Sequence, residues 1–293
     1  MPHSSLGVFR SPAGDPQLPP VSTEFPTPAR MYDYCLGGKD NFKVDRDAVL
    51  AAMRHFPQGV DEARFNRQFL YRVVRFLARD AGITQFLDMG SGLPTQNNVH
   101  QVAQQFQPDA KVVYVDNDPI VIAHGRALLE ADANTTVIAA DMTRPLDILE
   151  HPRVLGMLDF SQPVAVLFLP VGHSIADDTT VAEMIATVRE RICSGSYIAF
   201  TQMCMPDREL VERSAQVAQE SHYVFRTRLP ETVEGFLAGL EPVDPGLVYI
   251  RQWRPDPSQP PLPDVDGPLR QYLGASAGLE HQGGEYGGVL RKP

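Results

Sequence analysis

The 293-residue chain is short of cysteine: Cys35, Cys193 and Cys204 are odd in number, far apart and without a CxxC pair. That excludes a disulfide framework and a zinc knuckle, and it points to a reducing, cytoplasmic setting. Positive charge is scarce as well, with 26 Lys and Arg against 36 Asp and Glu and a formal net charge of −10. No global positive field is available to gather a phosphate backbone or an anionic lipid surface, which counts against a nucleic-acid partner. Nothing approaches the roughly 20 consecutive apolar residues that span a bilayer, and the N-terminus lacks an unbroken apolar stretch of signal length, so no membrane partner is expected. Compact His and carboxylate spacing is missing too, and no metal is expected.

What is present is a 43% hydrophobic content, ample for a sizeable core. Residues 1–28 hold seven prolines and little periodicity, the composition of a flexible leader ahead of a single domain spanning 29–293. A helical cap over about 29–80 opens that domain. The Pro/Gly-rich stretch 255–285 cannot be a helix or an inner strand throughout, and is expected as a surface loop with at most a short helix near 269–273. Between them, strand-like runs at 85–89, 111–116, 136–140, 164–170 and 197–202 alternate with amphipathic segments, the signature of a parallel sheet covered by helices. Runs at 246–254 and 286–291 complete seven strands. Phe65, Phe69, Val73 and Leu77 fall at steps of four and put a helix before the first strand, with Arg64, Arg67, Arg72, Arg75 and Arg79 as its solvated face. Segments 176–193 and 207–222 also suit helices, the first capped near Ser174 or Asp177.

The chemistry concentrates at the ends of the first three strands. The first runs through Asp88 into Gly90-Ser91-Gly92 and then a helical pattern from near Thr95. Such a turn brings backbone amides and a helix dipole to one point, and lets a nucleotide-like ligand lie against bare main chain. The second strand ends in Asp116, 24 residues past Gly92, where a carboxylate can accept from ribose hydroxyls, with Asn117 beside it. The third delivers Asp141 and Met142, an acceptor for an adenine amino group and an apolar cover for the ring. Leu93-Pro94-Thr95 stands where a dinucleotide fingerprint wants its last glycine, and the proline subtracts an amide that a pyrophosphate would need. No GxxxxGK[ST] run is present for a nucleoside triphosphate. A ligand with ribose, adenine and a cationic amino-acid tail describes S-adenosyl-L-methionine; an NAD(P)-dependent oxidoreductase using the same sheet edge is the alternative.

This arrangement resembles the class I, Rossmann-like S-adenosylmethionine-dependent methyltransferases. More narrowly, the block PARMYDYCLGGKDNF from Pro28 to Phe42, then NRQFL, LDMGSGLPTQNNVHQVAQ, VVYVDNDP and the closing YGGVLRKP are similar to the actinobacterial S-adenosyl methyltransferase family, formerly a domain of unknown function. The resemblance implies an α/β fold with a seven-stranded, mostly parallel sheet of order 3-2-1-4-5-7-6, strand 7 antiparallel, and helices on both faces. It implies S-adenosyl-L-methionine as cofactor and methyl transfer to an unidentified small-molecule acceptor. Gly90 and Gly92 would admit the methionine part, Asp88 its ammonium, Asp116 and Asn117 the ribose, and Asp141 with Met142 the adenine. The LGGKDNF turn would fold across the cofactor mouth as a lid, which makes Tyr32, Tyr34, Gly38, Lys39, Asp40 and Asn41 candidate cofactor or substrate contacts. His173, just past the fourth strand, is the candidate catalytic base. A non-catalytic regulatory protein that retains the cofactor pocket is the further alternative.

Overall fold

Apolar, β-branched-rich runs form the parallel part of the sheet in the computed structural model, which describes residues 21–129, 132–219, 224–278 and 282–293. They are β1 (Gln85–Met89), β2 (Lys111–Asp116), β3 (Thr135–Ala139), β4 (Ala165–Phe168) and β5 (Tyr197–Cys204), while β6 (Glu241–Pro242), β7 (Val248–Tyr249) and β8 (Gly284–Arg291) close the far edge. The order is β3-β2-β1-β4-β5-β8-β6, with β7 also on β8. β8 runs antiparallel to β5 along its whole length, from Tyr197 opposite Arg291 to Cys204 opposite Gly284.

The expected order survives with eight strands in place of seven, because the sixth is divided. Pro242 and Pro245 cannot donate to a ladder, and Gly246, at φ +92°, turns the chain back through its amide to Val243 O at 2.7 Å. Only two residues then pair on either side of the turn, and Ile250–Gln252 winds into a short 3₁₀ turn instead of extending the strand to 254.

Alternate strand residues face opposite cores, as the pleat requires. Leu87, Met89, Val113, Val115, Val166 and Phe168 pack on one side. Phe86, Val112, Tyr114 and Leu167 pack on the other, against Phe69, Leu77 and Trp253. Among the described residues, no helix is long and apolar enough to cross a membrane.

Helices α1 (Pro28–Cys35) and α2 (Lys43–Ala52) and the first turns of α3 (Gly59–Arg75) stand over the cleft at the carboxyl edge of the strands, while Phe69 and Val73 of α3 pack on the sheet face. Arg30, 1% exposed, pairs with Asp45 at 2.9 Å and donates to Ser22 O at 2.7 Å and to Phe25 O. The last part of the segment expected as a leader is therefore tied to the cap; residues 1–20 lie outside the described residues.

The arginines of α3 are not simply a solvated face. Arg72 is buried and donates to Trp253 O at 2.9 Å, Ile250 O at 2.8 Å and Gln259 Oε1 at 3.1 Å, Arg64 donates to Pro263 O at 2.9 Å, and Arg75 pairs with Asp256. A proline-rich segment has few amides with which to satisfy a neighbour, but its carbonyls still need donors. Guanidinium groups supply them, and so the 250–263 excursion is pinned to the helix. The short helix in this loop forms at Gly267–Arg270. Asp177 caps the helix Asp178–Arg191 by accepting from Thr180 N at 2.7 Å. The helix expected to reach His222 is seen over Arg208–Gln219; residues 220–223 lie outside the described residues.

Candidate active site

A cleft of about 1340 Å³ opens between the sheet edge and the cap, bordered by Gly90, Gly92, Asp116, Asp141, His173 and Glu285 among others. Its floor begins at the glycine turn. Gly90 N and Ser91 N both donate to Val115 O, at 2.8 and 3.0 Å, and Gly92 N donates to Asp116 Oδ2 at 2.9 Å. Three successive amides are thus used inside the protein and none is left for a phosphate. The next helix does not begin at Thr95 but at Val99, with Asn98 as its cap, because Pro94 and Asn97, at φ +58°, keep the intervening loop non-helical. The dipole expected at the turn is therefore displaced along the chain.

Asp116 accepts through its other oxygen from Asn117 N and Asp118 N, at 2.8 and 2.9 Å. A carboxylate has about four lone-pair positions; three are taken, so this side chain can accept one further hydrogen bond while it locks the turn. Asp141 Oδ1 accepts from the backbone and hydroxyl of Thr143 at 2.9 and 2.8 Å, and Met142 lies beside it on the rim. Asp88, at the tip of β1, is 3% exposed and its Oδ1 has no partner. Burial pushes its carboxyl up to about 7, outweighing the opposing pull of Arg67, and the charge of Asp116 adds to the rise.

At the other end of the cleft, a loop after β4 carries His173. Arg228 holds that loop by donating to Gly172 O at 2.9 Å and Ile175 O at 2.7 Å, and Arg226 N donates to His173 O at 2.7 Å. A side chain at Gly172 would stand 2.6 Å from Gln202 Oε1, so the close packing needs glycine there. His173 Nδ1 lies 3.3 Å from Glu285 Oε1, and Glu62 Oε2 accepts from Glu285 N at 2.8 Å. Sequence reasoning missed both glutamates. Glu62 resembles an ordinary acidic residue of a first helical turn, and Glu285 sits between glycines in what reads as a loop.

Of the residues expected as a lid, Tyr32 borders the cleft and donates to Ala63 O at 3.2 Å. The others do not line it. Tyr34 packs with Val49, Met53 and Leu269. Asp33 gathers the turn by accepting from Asp40 N at 3.0 Å and Asn41 Nδ2 at 2.8 Å, and a Cβ on Gly38 would overlap its carboxylate at 1.9 Å. Lys39 and Asp40 are exposed.

A mostly parallel sheet with one antiparallel strand, acidic tips on three successive strands and a glycine turn closed to phosphate define a Rossmann-like methyltransferase. Residues 15–293 match the model of the S-adenosyl methyltransferase family. A methyltransferase candidate from Thermobifida fusca is 42% identical over 92% of this chain and 95% of its own, with a TM-score of 0.78, and a DUF574-family protein from Streptomyces avermitilis is 35% identical over 92% and 99%, with a TM-score of 0.80. No curated protein matches. The chain belongs to the S-adenosyl methyltransferase family, and its cofactor is S-adenosyl-L-methionine. The site suits that cofactor, since a Cβ on Gly92 would meet nothing within 4 Å, leaving space against the main chain; Asp88 carries an unpartnered buried oxygen but is not itself among the residues lining the cleft.

The raised Asp88 carboxyl has a measurable consequence. Between pH about 4, where an unfolded aspartate loses its proton, and about 7, the folded chain binds more protons than the unfolded one, so stability falls as pH rises through that window. Glu62, pushed up to about 7 by burial, acts in the same direction. Urea denaturation at pH 5 and pH 8 should show a smaller loss for Asp88→Asn than for the wild type; equal losses would refute the assignment.

Proposed function

We propose that the cofactor lies along the β1–β3 rim and that its methyl group meets a small-molecule acceptor between the β4 loop, β8 and α3. The observation that carries this reading is the continuity of one cleft from the glycine turn and Asp116 to His173 and Glu285. Its volume exceeds the usual 300–1,000 Å³ of a single-ligand pocket, which leaves room for two molecules. Asp88 would accept from the methionine ammonium, and Gly90 and Gly92 would let that part approach the backbone. The remaining lone pair of Asp116 would take a ribose hydroxyl, with Asn117 alongside, and Asp141 and Met142 would hold the adenine.

When bound, the cofactor supplies a sulfonium-activated methyl group, so the chain's task is to align an acceptor and manage its proton. His173, whose Nδ1 lies 3.3 Å from Glu285 Oε1 without a hydrogen bond, stands as the base that receives the proton. Tyr32 covers the cleft from α1, while the turn at 37–41 folds back onto Asp33 of the same helix. The negative formal charge favours a small acceptor over a nucleic acid and a cytoplasmic setting fits the unpaired cysteines.

Calorimetry tests the cofactor's place directly. S-adenosylhomocysteine should bind at one site per chain, and NADH should not, since the turn has no amide free for its pyrophosphate. NADH binding without S-adenosylhomocysteine binding would overturn the reading.

A further inference from the structure

The acceptor end of the cleft combines apolar walls with buried acid. Met53, Phe56, Met203, Met205, Leu210 and Phe225 border the cleft, and the Phe225 ring lies 4.9 Å from that of His173. Within it, Glu285 is 3% exposed and Glu62 6%, and Glu285 Oε2 is buried without a partner. The charge of Glu285 adds to the burial that raises the Glu62 carboxyl, and two buried carboxyl groups that act on each other need a counter-charge or a shared proton.

Among the described residues, the arginines bordering the cleft are engaged elsewhere or exposed. Of those bordering the cleft, Arg30 pairs with Asp45, Arg67 donates to Gln96 O at 2.6 Å, and Arg213 stands on the exposed rim. Arg251 acts on Glu62, yet burial outweighs it. His173 offers one imidazole to Glu285 at 3.3 Å, longer than a good hydrogen bond. Tyr32 and Cys204 also sense Glu285, but neither brings positive charge. Among the described residues, no three His, Cys, Asp or Glu side chains are grouped to hold a metal ion. The cofactor's own ammonium is assigned elsewhere, because β8 lies three strands from Asp88 on β1, about 14 Å at the usual strand spacing.

Resting on the cofactor reading above, we infer that the acceptor is an apolar amine whose nitrogen enters as a cation, is held by Glu285 and Glu62, and is the atom methylated. The acceptor ammonium first gives one proton to the His173–Glu285 pair. The freed nitrogen lone pair then forms the bond to the methyl carbon as that carbon's bond to sulfur breaks. Sulfur keeps the electron pair and leaves as a neutral thioether, and the positive charge ends on the methylated nitrogen. An alcohol or a carboxylate of the same shape would leave the buried acid uncompensated or add to it.

Calorimetry on the full chain saturated with S-adenosylhomocysteine tests this with three matched probes: 4-phenylbutylamine, 4-phenylbutanol and 4-phenylbutyrate. The amine should bind about tenfold or more tighter than the alcohol, as expected for a charge-assisted contact in a dry site, and the carboxylate weakest. Glu285→Gln should bring the amine down to the alcohol's affinity, leaving alcohol and S-adenosylhomocysteine affinities unchanged. Glu62→Gln, which keeps an acceptor for the Glu285 amide, should reduce the amine preference in part. Equal binding of amine and alcohol, no amine binding at millimolar concentration, or a loss of S-adenosylhomocysteine affinity in Glu285→Gln as large as the loss for amine would each overturn the proposal. Failure of S-adenosylhomocysteine to bind the wild type would instead sink the cofactor reading on which it rests.

Discussion

Gly92→Ala should lose most of its affinity for S-adenosylhomocysteine while remaining folded. The residue sits at φ +66°, where an L side chain costs on the order of 1–2 kcal/mol, but in the free protein its added methyl would touch nothing within 4 Å. The methyl would project instead into the space where the methionine part is expected to lie against the main chain. Forcing one extra carbon into such a contact costs about 1–3 kcal/mol, or roughly 5- to 150-fold in Kd. Gly82 supplies a matched control: it too has positive φ, +70°, and open space around it, but it precedes β1 at the opposite end of the strand. Gly82→Ala should therefore show a similar small fall in melting temperature and unchanged binding. If the two variants bound S-adenosylhomocysteine equally well, the turn would have no close ligand and the assignment of Gly92 would fail.

Sequence reading reaches furthest at this edge of the sheet. The first three parallel strands are short apolar runs with an acidic residue at or near their ends, so Asp88, Asp116 and Asp141 could be placed on one edge from periodicity and spacing alone. Asp116 shows the limit of such reading: its place at the end of β2 was legible, but its bond to Gly92 N was not, since that depends on how two loops meet. The His173–Glu285 end of the cleft was harder still. Glu285 belongs to β8 only because β5 is eight residues long and extends the antiparallel ladder to Gly284, across glycines that carry no strand signal of their own. Pairing at that distance along the chain is invisible to a local pattern. The arginines of α3 misled for the same reason, because Arg72 finds its partners in carbonyls of the 250–253 turn some 180 residues away. Local chemistry identified the rim, and long-range packing supplied the opposite wall.

Arg228→Met should be the most destabilising of the substitutions considered. The side chain is 1% exposed and donates through all three of its nitrogens: to Asp178 Oδ1 at 2.8 Å, to Gly172 O and Gln202 Oε1 at 2.9 and 2.8 Å, and to Ile175 O at 2.7 Å. Burial alone lowers the guanidinium's affinity for its proton, and the bond to Asp178 opposes that effect. Methionine fills much of the volume but leaves the buried carbonyls and Gln202 without a donor. Breaking a buried charged network on one side typically costs about 3–5 kcal/mol, which for a domain of this size is a fall of roughly 6–20 °C in melting temperature. Arg228→Lys should recover part of that loss, because an ammonium can satisfy some of the acceptors but cannot span them all. The loss has a local address as well: Gly172 and Ile175 flank His173, so partially folded variants should release the β4 loop while the rim around Gly92 and Asp116 still binds S-adenosylhomocysteine. Thermal denaturation with and without that ligand separates the two effects. A melting temperature within about 2 °C of wild type for Arg228→Met would mean that water or a neighbouring donor replaces the guanidinium, and that the loop carrying His173 is held by something other than this arginine.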